Sequence, residues 1–170
     1  MDLEIRICKQ DDFPSIFKLL KTLWADFDLN FEDLQAVYFK AIQSENQKLI
    51  VGTIKGQILG FCSLTIKNNL WLAGNLGHVD EIVVDESFRG QGIGKKLMER
   101  ITEIAKENSC KRIELDSAFH RKNAHSFYKS IGYENRAYLF SKTLKTINLN
   151  SLSKLIKLIK SLVSSFTLVD

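Results

Sequence analysis

Apolar and polar residues alternate over residues 3–8, and from Phe13 the apolar positions recur every three to four residues, through Ile16, Phe17, Leu20, Leu23, Trp24 and Phe27. The first spacing predicts a strand and the second a helix capped by Asp11 or Asp12. A second helix begins at Asn30 and presents Leu34, Val37, Tyr38, Ala41 and Ile42 on one face. Residues 49–54 and 58–66 read as strands around a tight turn at Lys55-Gly56-Gln57, and Asn68-Asn69 marks the next turn. Residues 70–84 form a long strand region with a break expected near Gly74-Asn75 or Gly77, since glycine inside a strand marks a bulge or bend. A helix with Leu97, Ile101, Ile104 and Ala105 on one side follows and fades near Asn108-Ser109, and residues 112–117 alternate again. From about Arg121 a helix carries Ala124, Phe127, Tyr128 and Ile131 and stops at Gly132, and residues 137–144 make a last strand. The expected order is β-α-α-β-β-β-α-β-α-β, a mixed α/β (α+β) domain.

At 170 residues, 45% hydrophobic and 26% charged, the chain can bury one sizeable core. Its net charge of +4 suits a polyanionic ligand, and its scattered lysines give no nucleic-acid footprint. Cys8, Cys62 and Cys110 are odd in number and lack Cys-x-x-Cys or paired-histidine spacing, which argues against disulfides and zinc. A reducing, cytoplasmic setting is expected. The first residues carry no signal-peptide core, and no apolar run approaches the roughly 18 residues of a membrane span.

The densest signal is the run from Val83 to Leu97, where an apolar strand ends in Arg89-Gly90-Gln91-Gly92-Ile93-Gly94-Lys95 and opens into a helix. Its glycines let the main chain turn sharply and come close to a ligand. The free N–H groups of the helix start gather there and favour an anion, with Arg89, Lys95 and Lys96 adding full charges. A plain strand-to-helix connection uses the same glycines. No Gly-Lys-Ser/Thr closes the turn, and the six-residue dinucleotide glycine pattern is unmatched, so two nucleotide readings fall away.

The spacing Arg89-x-x-Gly92-x-Gly94 resembles the acyl-CoA pyrophosphate loop of the GNAT acetyltransferase superfamily. A second run, Arg121-x-x-Ala124-His125-x-Phe127-Tyr128-x-x-x-Gly132-Tyr133, is similar to that family's second coenzyme A motif. The resemblance spans residues 3–145. It implies the GNAT fold, a central mixed, mostly antiparallel sheet with helices on both faces, and acetyl-CoA as co-substrate. It also implies that Arg89, Gly90, Gln91, Gly92, Ile93, Gly94 and Lys95 hold the pyrophosphate and that the main chain of Ile82, Val83 and Val84 pairs with pantetheine. Tyr128 would contact the donor and protonate the departing thiolate. Arg121 stands where many members carry asparagine, and Glu86 where many carry proline. The look is closest to small-amine acetyltransferases such as those of aminoalkylphosphonates.

An amine acceptor with a pKa of about 10 is ammonium at neutral pH, and freeing its lone pair costs about 4 kcal/mol. Asp80 and Glu81, in the otherwise apolar run Val79 to Val84, are the candidate proton acceptors, since burial raises a carboxylate toward working pH. Strand alternation sends them to opposite faces unless the strand bulges. His78 shares a face with Asp80 in a regular strand, and an imidazole–carboxylate pair is one arrangement open to it. Asp26, Asp28, Glu32 and Asp33 either attract a cationic amine or are solvated helix-end charges, and Trp24 and Trp71 either line an acceptor pocket or belong to the core.

Past Leu144 the composition shifts, and Leu152, Leu155, Ile156, Ile159, Leu162, Val163 and Phe166 form a stripe opposite Lys154, Lys157 and Lys160. The expected division is an acetyltransferase domain over 1–145 and an amphipathic helical extension over 146–170. That helix docks on the domain, joins two copies as a homodimer, or lies on a membrane surface without inserting. The expected function is transfer of an acetyl group from acetyl-CoA directly to a primary amine of a small molecule, with no metal and no nucleic acid. Acetylation of a protein amino terminus or lysine, and a non-catalytic acyl-CoA sensor, are the alternatives.

Overall fold

The computed structural model describes residues 2–144. The chain divides into two units, Met1–Asn135 and Arg136–Asp170, and all regular elements described lie in the first. One sheet runs in the order β1 (Leu3–Ile7), β2 (Gln47–Ile54), β3 (Gln57–Asn69), β4 (Gly74–Val84), β5 (Cys110–Leu115). Strands β1 to β4 pair antiparallel, whereas β5 pairs parallel with β4 after the crossover helix α3 (Ile93–Glu107).

Side-chain alternation along the central strands creates two apolar faces. Ile50, Leu59, Cys62 and Leu64 pack beneath α3, which contributes Ile93, Leu97 and Ile101. Leu49, Val51, Phe61 and Val83 pack on the other face with Phe13, Ile16 and Leu20 of α1 (Phe13–Leu23) and Tyr38 of α2 (Phe31–Gln43). Leu97 and Ile101 are 0% exposed, and burying each such side chain stabilises the fold by roughly 1.5–3 kcal/mol. Asn30 caps α2 by accepting from the Asp33 N–H at 2.8 Å, and Pro14 sits in the first turn of α1, where its missing N–H has no helical partner to lose. The last described helix, α4 (Lys122–Ser130), ends as expected near Gly132, whose φ is 91°.

Two strand expectations fail. The strand expected over residues 70–84 begins only at Gly74, because residues 70–73 form a turn in which Ala73 adopts φ 47° and Lys111 Nζ donates to the carbonyls of Leu72 (3.0 Å) and Ala73 (2.8 Å). Leu70 and Trp71 are 99% and 72% exposed, so the apolar content there marks a turn tip and not a buried strand. Residues 137–144 form no strand. A strand exists by its ladder to a neighbour, and the apolar run Tyr138-Leu139-Phe140 lacks the regular alternation that would pair it on one sheet face. The amphipathic helix expected over 153–166 lies outside the described residues.

Candidate active site

Strand β4 frames the site. Ser63 of β3 faces Glu81 and Leu64 faces Val79, so Asp80 is an extra residue in β4, a bulge. That bulge was the condition for both carboxylates to reach one face, and they do. Ser63 and Thr65, two residues apart, share a face of β3. The Ser63 hydroxyl donates to Glu81 Oε2 and receives the Glu81 N–H at 3.1 Å, while Thr65 Oγ1 donates to Asp80 Oδ2 at 2.6 Å. His78 completes the cluster, with Nδ1 3.0 Å from Asp80 Oδ1 and Nε2 3.2 Å from Asp116 Oδ2, just past the end of β5.

Burial pushes the Glu81 carboxyl above its ordinary range, and the Ser63 hydrogen bond opposes that shift without cancelling it. The imidazole of His78 is raised chiefly by its hydrogen bond to Asp80, with burial working against it and Asp116 adding to it. A partly buried base beside an imidazole–carboxylate pair is an arrangement that can handle a proton from an amine.

On its other side β4 pairs with β5 only from Asn75–Cys110 to Val79–Leu115. Beyond Val79, no described strand covers that edge, which is the stretch carrying Ile82, Val83 and Val84. The chain then makes a short 3-10 turn over Glu86–Phe88, and Arg89 folds back so that Nε donates to the Val84 carbonyl at 3.2 Å and Nη1 meets Glu86 at 3.2 Å. Gly90 and Gly92 take φ values of 76° and 85°, and a Cβ at either would meet nothing within 4 Å. Gly92 is the N-cap of α3 and supplies no side-chain cap to the first-turn N–H groups. Gln91 donates to the Ser87 carbonyl at 3.4 Å, and Lys95 stands 4.0 Å from Glu99 on the exposed side of α3.

Two neighbouring stretches of the chain and a distant helix meet at Gly94. A Cβ there would stand 3.5 Å from Phe127 Cζ and 3.7 Å from Val84 Cγ2, so α4 and the open end of β4 both lie close to the glycine loop. Tyr128 follows Phe127, with its ring 5.4 Å from that of Phe127 and 6.2 Å from that of Tyr133, and burial raises its phenol above the ordinary tyrosine value. Arg121, at the position where an asparagine is usual, donates through Nη2 to the Leu23 carbonyl at 2.7 Å and ties the start of α4 to the end of α1.

Sequence reasoning missed Ser63, Thr65 and Asp116. The first two were detectable as the polar face of the alternating run Phe61-Cys62-Ser63-Leu64-Thr65-Ile66, while Asp116 enters only because β4 and β5 lie side by side. Trp24 is half-buried beside the α1–α2 core, whereas Trp71 is exposed with the Arg112 guanidinium 4.8 Å from its ring centroid. A cavity of about 360 Å³ lined by Arg6, Asp12, Ser15, Lys18, Gly56 and Asp85, among others, opens at the start of α1 and shares no residue with the carboxylate cluster.

The sequence model of the acetyltransferase (GNAT) family matches residues 15–133. The chain belongs to the GNAT acetyltransferase family. Among its relatives, a glucosamine 6-phosphate N-acetyltransferase of Trypanosoma brucei brucei is 30% identical over 135 residues, covering 78% of this chain and 90% of the relative. An aminoalkylphosphonate N-acetyltransferase of Salmonella typhimurium is 27% identical over 141 residues, covering 83% and 91%. The crystal structure of a glucosamine-6-phosphate N-acetyltransferase from Arabidopsis thaliana superposes with a TM-score of 0.72 at 25% identity, covering 85% of this chain and all of the other. The resemblance to the GNAT family and its small-amine branch therefore holds, and with it the fold: a mixed, mostly antiparallel sheet with helices on both faces. This GNAT protein is an enzyme, an N-acetyltransferase that moves an acetyl group to an amine.

Proposed function

We propose that the protein uses acetyl-CoA as donor and acetylates a primary amine of a small molecule by direct transfer. The observation that carries this reading is the convergence of the glycine loop, the open edge of β4 and the Phe127–Tyr128 helix at Gly94. The residues present fit the donor. Two left-handed glycines leave open space where side chains would stand, and the uncapped start of α3 is suited to the pyrophosphate. Arg89, Gly90, Gln91, Gly92, Ile93, Gly94 and Lys95 would hold that end, and the main chain of Ile82, Val83 and Val84 would hold the pantetheine arm as a strand holds its neighbour. Bound acetyl-CoA supplies the acetyl group as a thioester, whose C–S bond breaks as the C–N bond forms.

The chain's own part is proton management. Glu81, raised by burial, takes a proton from the incoming ammonium, with Asp80 beside it as the second carboxylate. Tyr128, raised by its own burial, keeps its proton at neutral pH and gives it to the departing thiolate. The acidic rim of Asp80, Glu81 and Asp116 suits a cationic acceptor. Supporting a small acceptor are the relatives, whose names specify glucosamine 6-phosphate and aminoalkylphosphonates. We place the protein in the cytoplasm, where the free thiols of Cys8, Cys62 and Cys110 would stay reduced, and no described helix is long and apolar enough to cross a membrane. Residues 146–170 are proposed as the helical extension that follows the catalytic domain and pairs two copies.

The deciding experiment is incubation with acetyl-CoA, a thiol reporter and a panel of aminophosphonates, amino sugar phosphates, diamines, aminoglycosides and peptides. Thiol release with one small-amine class is the expected result. Turnover confined to peptides overturns the acceptor, and donor binding with no turnover on any amine points to a sensor.

A further inference from the structure

The imidazole of His78 lies between two carboxylates, Asp80 in the bulge of β4 and Asp116 just beyond β5. A neutral imidazole has one N–H and one acceptor nitrogen, so it can donate to only one of them, and the other nitrogen would face a carboxylate lone pair to lone pair. Both contacts are bonds only when both nitrogens carry protons. Both oxygens of Asp80 are thereby engaged, Oδ1 on His78 and Oδ2 on the Thr65 hydroxyl. Among the described residues, the side-chain hydrogen bond to Glu81 runs to Oε2 alone.

We infer that His78 is a positioning residue: as an imidazolium it clamps Asp80 against Thr65 and ties β4 to the end of β5 where the strands part, which leaves Glu81 as the carboxylate that receives the amine proton. The inference rests on the reading that the bulge carboxylates handle that proton. His78 is 20% exposed at the side chain, against 33% for Asp80 and 49% for Asp116, so the bridge is half-shielded from water and from salt. Its charged surroundings are Asp80 and Glu81 on β4, Asp116, and Glu114 opposite it on β5, which already meets Lys67 of β3 at 3.8 Å. The raised imidazole follows from the Asp80 bond first and the Asp116 bond after it. Because the folded-state value is raised, the clamp is closed below it and opens as pH climbs through it.

The test couples an NMR titration of the His78 ring, in the full-length protein without ligand, to pH profiles of kcat/KM for the best amine of the panel at saturating acetyl-CoA. The ring midpoint is expected above the ordinary histidine value and should fall in Asp116→Asn, an exposed substitution that spares the sheet. The alkaline fall of kcat/KM should move with it to lower pH. His78→Arg, which can donate to both carboxylates at every pH in the range, should abolish that fall while keeping KM for acetyl-CoA within about twofold. His78→Gln should raise KM for the amine about tenfold. A ring midpoint at or below the ordinary value overturns the clamp even if no acceptor is found. An alkaline fall that stays in place while the ring midpoint moves, or that persists in His78→Arg, confines His78 to holding the fold. Full activity in Glu81→Gln would instead overturn the carboxylate reading, whatever His78 does.

Discussion

Replacing Gly92 with alanine separates the strain of a turn from its work in binding. The residue adopts φ 85° at the N-cap of α3, and a Cβ there meets no atom within 4 Å, so no clash contributes. What remains is the left-handed conformation itself, about 1–2 kcal/mol for a residue with a side chain. For a domain of this size that lowers Tm by about 2–8 °C. Gly56 offers the matching control, with φ 79° and the same open space in the turn between β2 and β3, outside the glycine loop. Both alanine variants should lose similar stability in a thermal melt. Only Gly92→Ala should raise KM for acetyl-CoA, by about tenfold or 1.4 kcal/mol, since its methyl group stands where the first-turn N–H groups must approach an anion. KM for the amine should stay unchanged in both. Equal effects of the two variants on the donor, or none in Gly92→Ala, would refute the phosphate-loop reasoning, and calorimetric titration with coenzyme A gives the same contrast without turnover.

Tyr128→Phe should reduce kcat by about 100-fold, within the usual range for losing an acid or base, with the melting temperature held because the ring packing survives. Glu81→Gln should lower kcat/KM by about 100- to 10,000-fold. Its stability should move the other way: burial raises Glu81, so the native state binds its proton more tightly than the unfolded chain, and wild-type stability falls as pH rises through the carboxylate range. Melts of wild type and Glu81→Gln should therefore diverge above that range, in favour of the variant. Asp12 behaves oppositely, because Arg6 hydrogen-bonds it at 2.7 and 2.8 Å and holds it below the usual carboxylate range. That stability is present above the unfolded carboxylate value and is lost as pH falls toward the folded one, so Asp12→Asn should cost about 2 kcal/mol at neutral pH and flatten the acid limb of a denaturation series.

The described helices, the strands at 49–54 and 58–66 and, two residues early, the strand expected at 112–117 were legible because their apolar periods are set by burial on two sheet faces. The turn at residues 70–73 was not, since Leu70, Trp71 and Leu72 have the composition of a strand and two of the turn's carbonyls are held by Lys111 from another strand. In the site, the glycine loop announces itself by the conformations only glycine adopts freely. The two carboxylates were visible as charges in an apolar run, but their shared face depends on the bulge at Asp80, a property of pairing with β3. Asp116 lies thirty-six residues past Asp80, and only the parallel register of β4 and β5 brings them to one imidazole.

The parting of β4 from β5 gives this sheet an edge in its interior. Outer edges are guarded by charges, prolines or short strands, because bare main-chain groups invite a foreign strand to add. The stretch from Asp80 to Val84 cannot be guarded in that way if a ligand is to pair there. It has two weaker defences, the added twist of the bulge and the Arg89 guanidinium on the Val84 carbonyl. On the proposed reading the ligand-free enzyme is therefore the state most exposed to strand addition by another chain, and a bound donor would plug that edge.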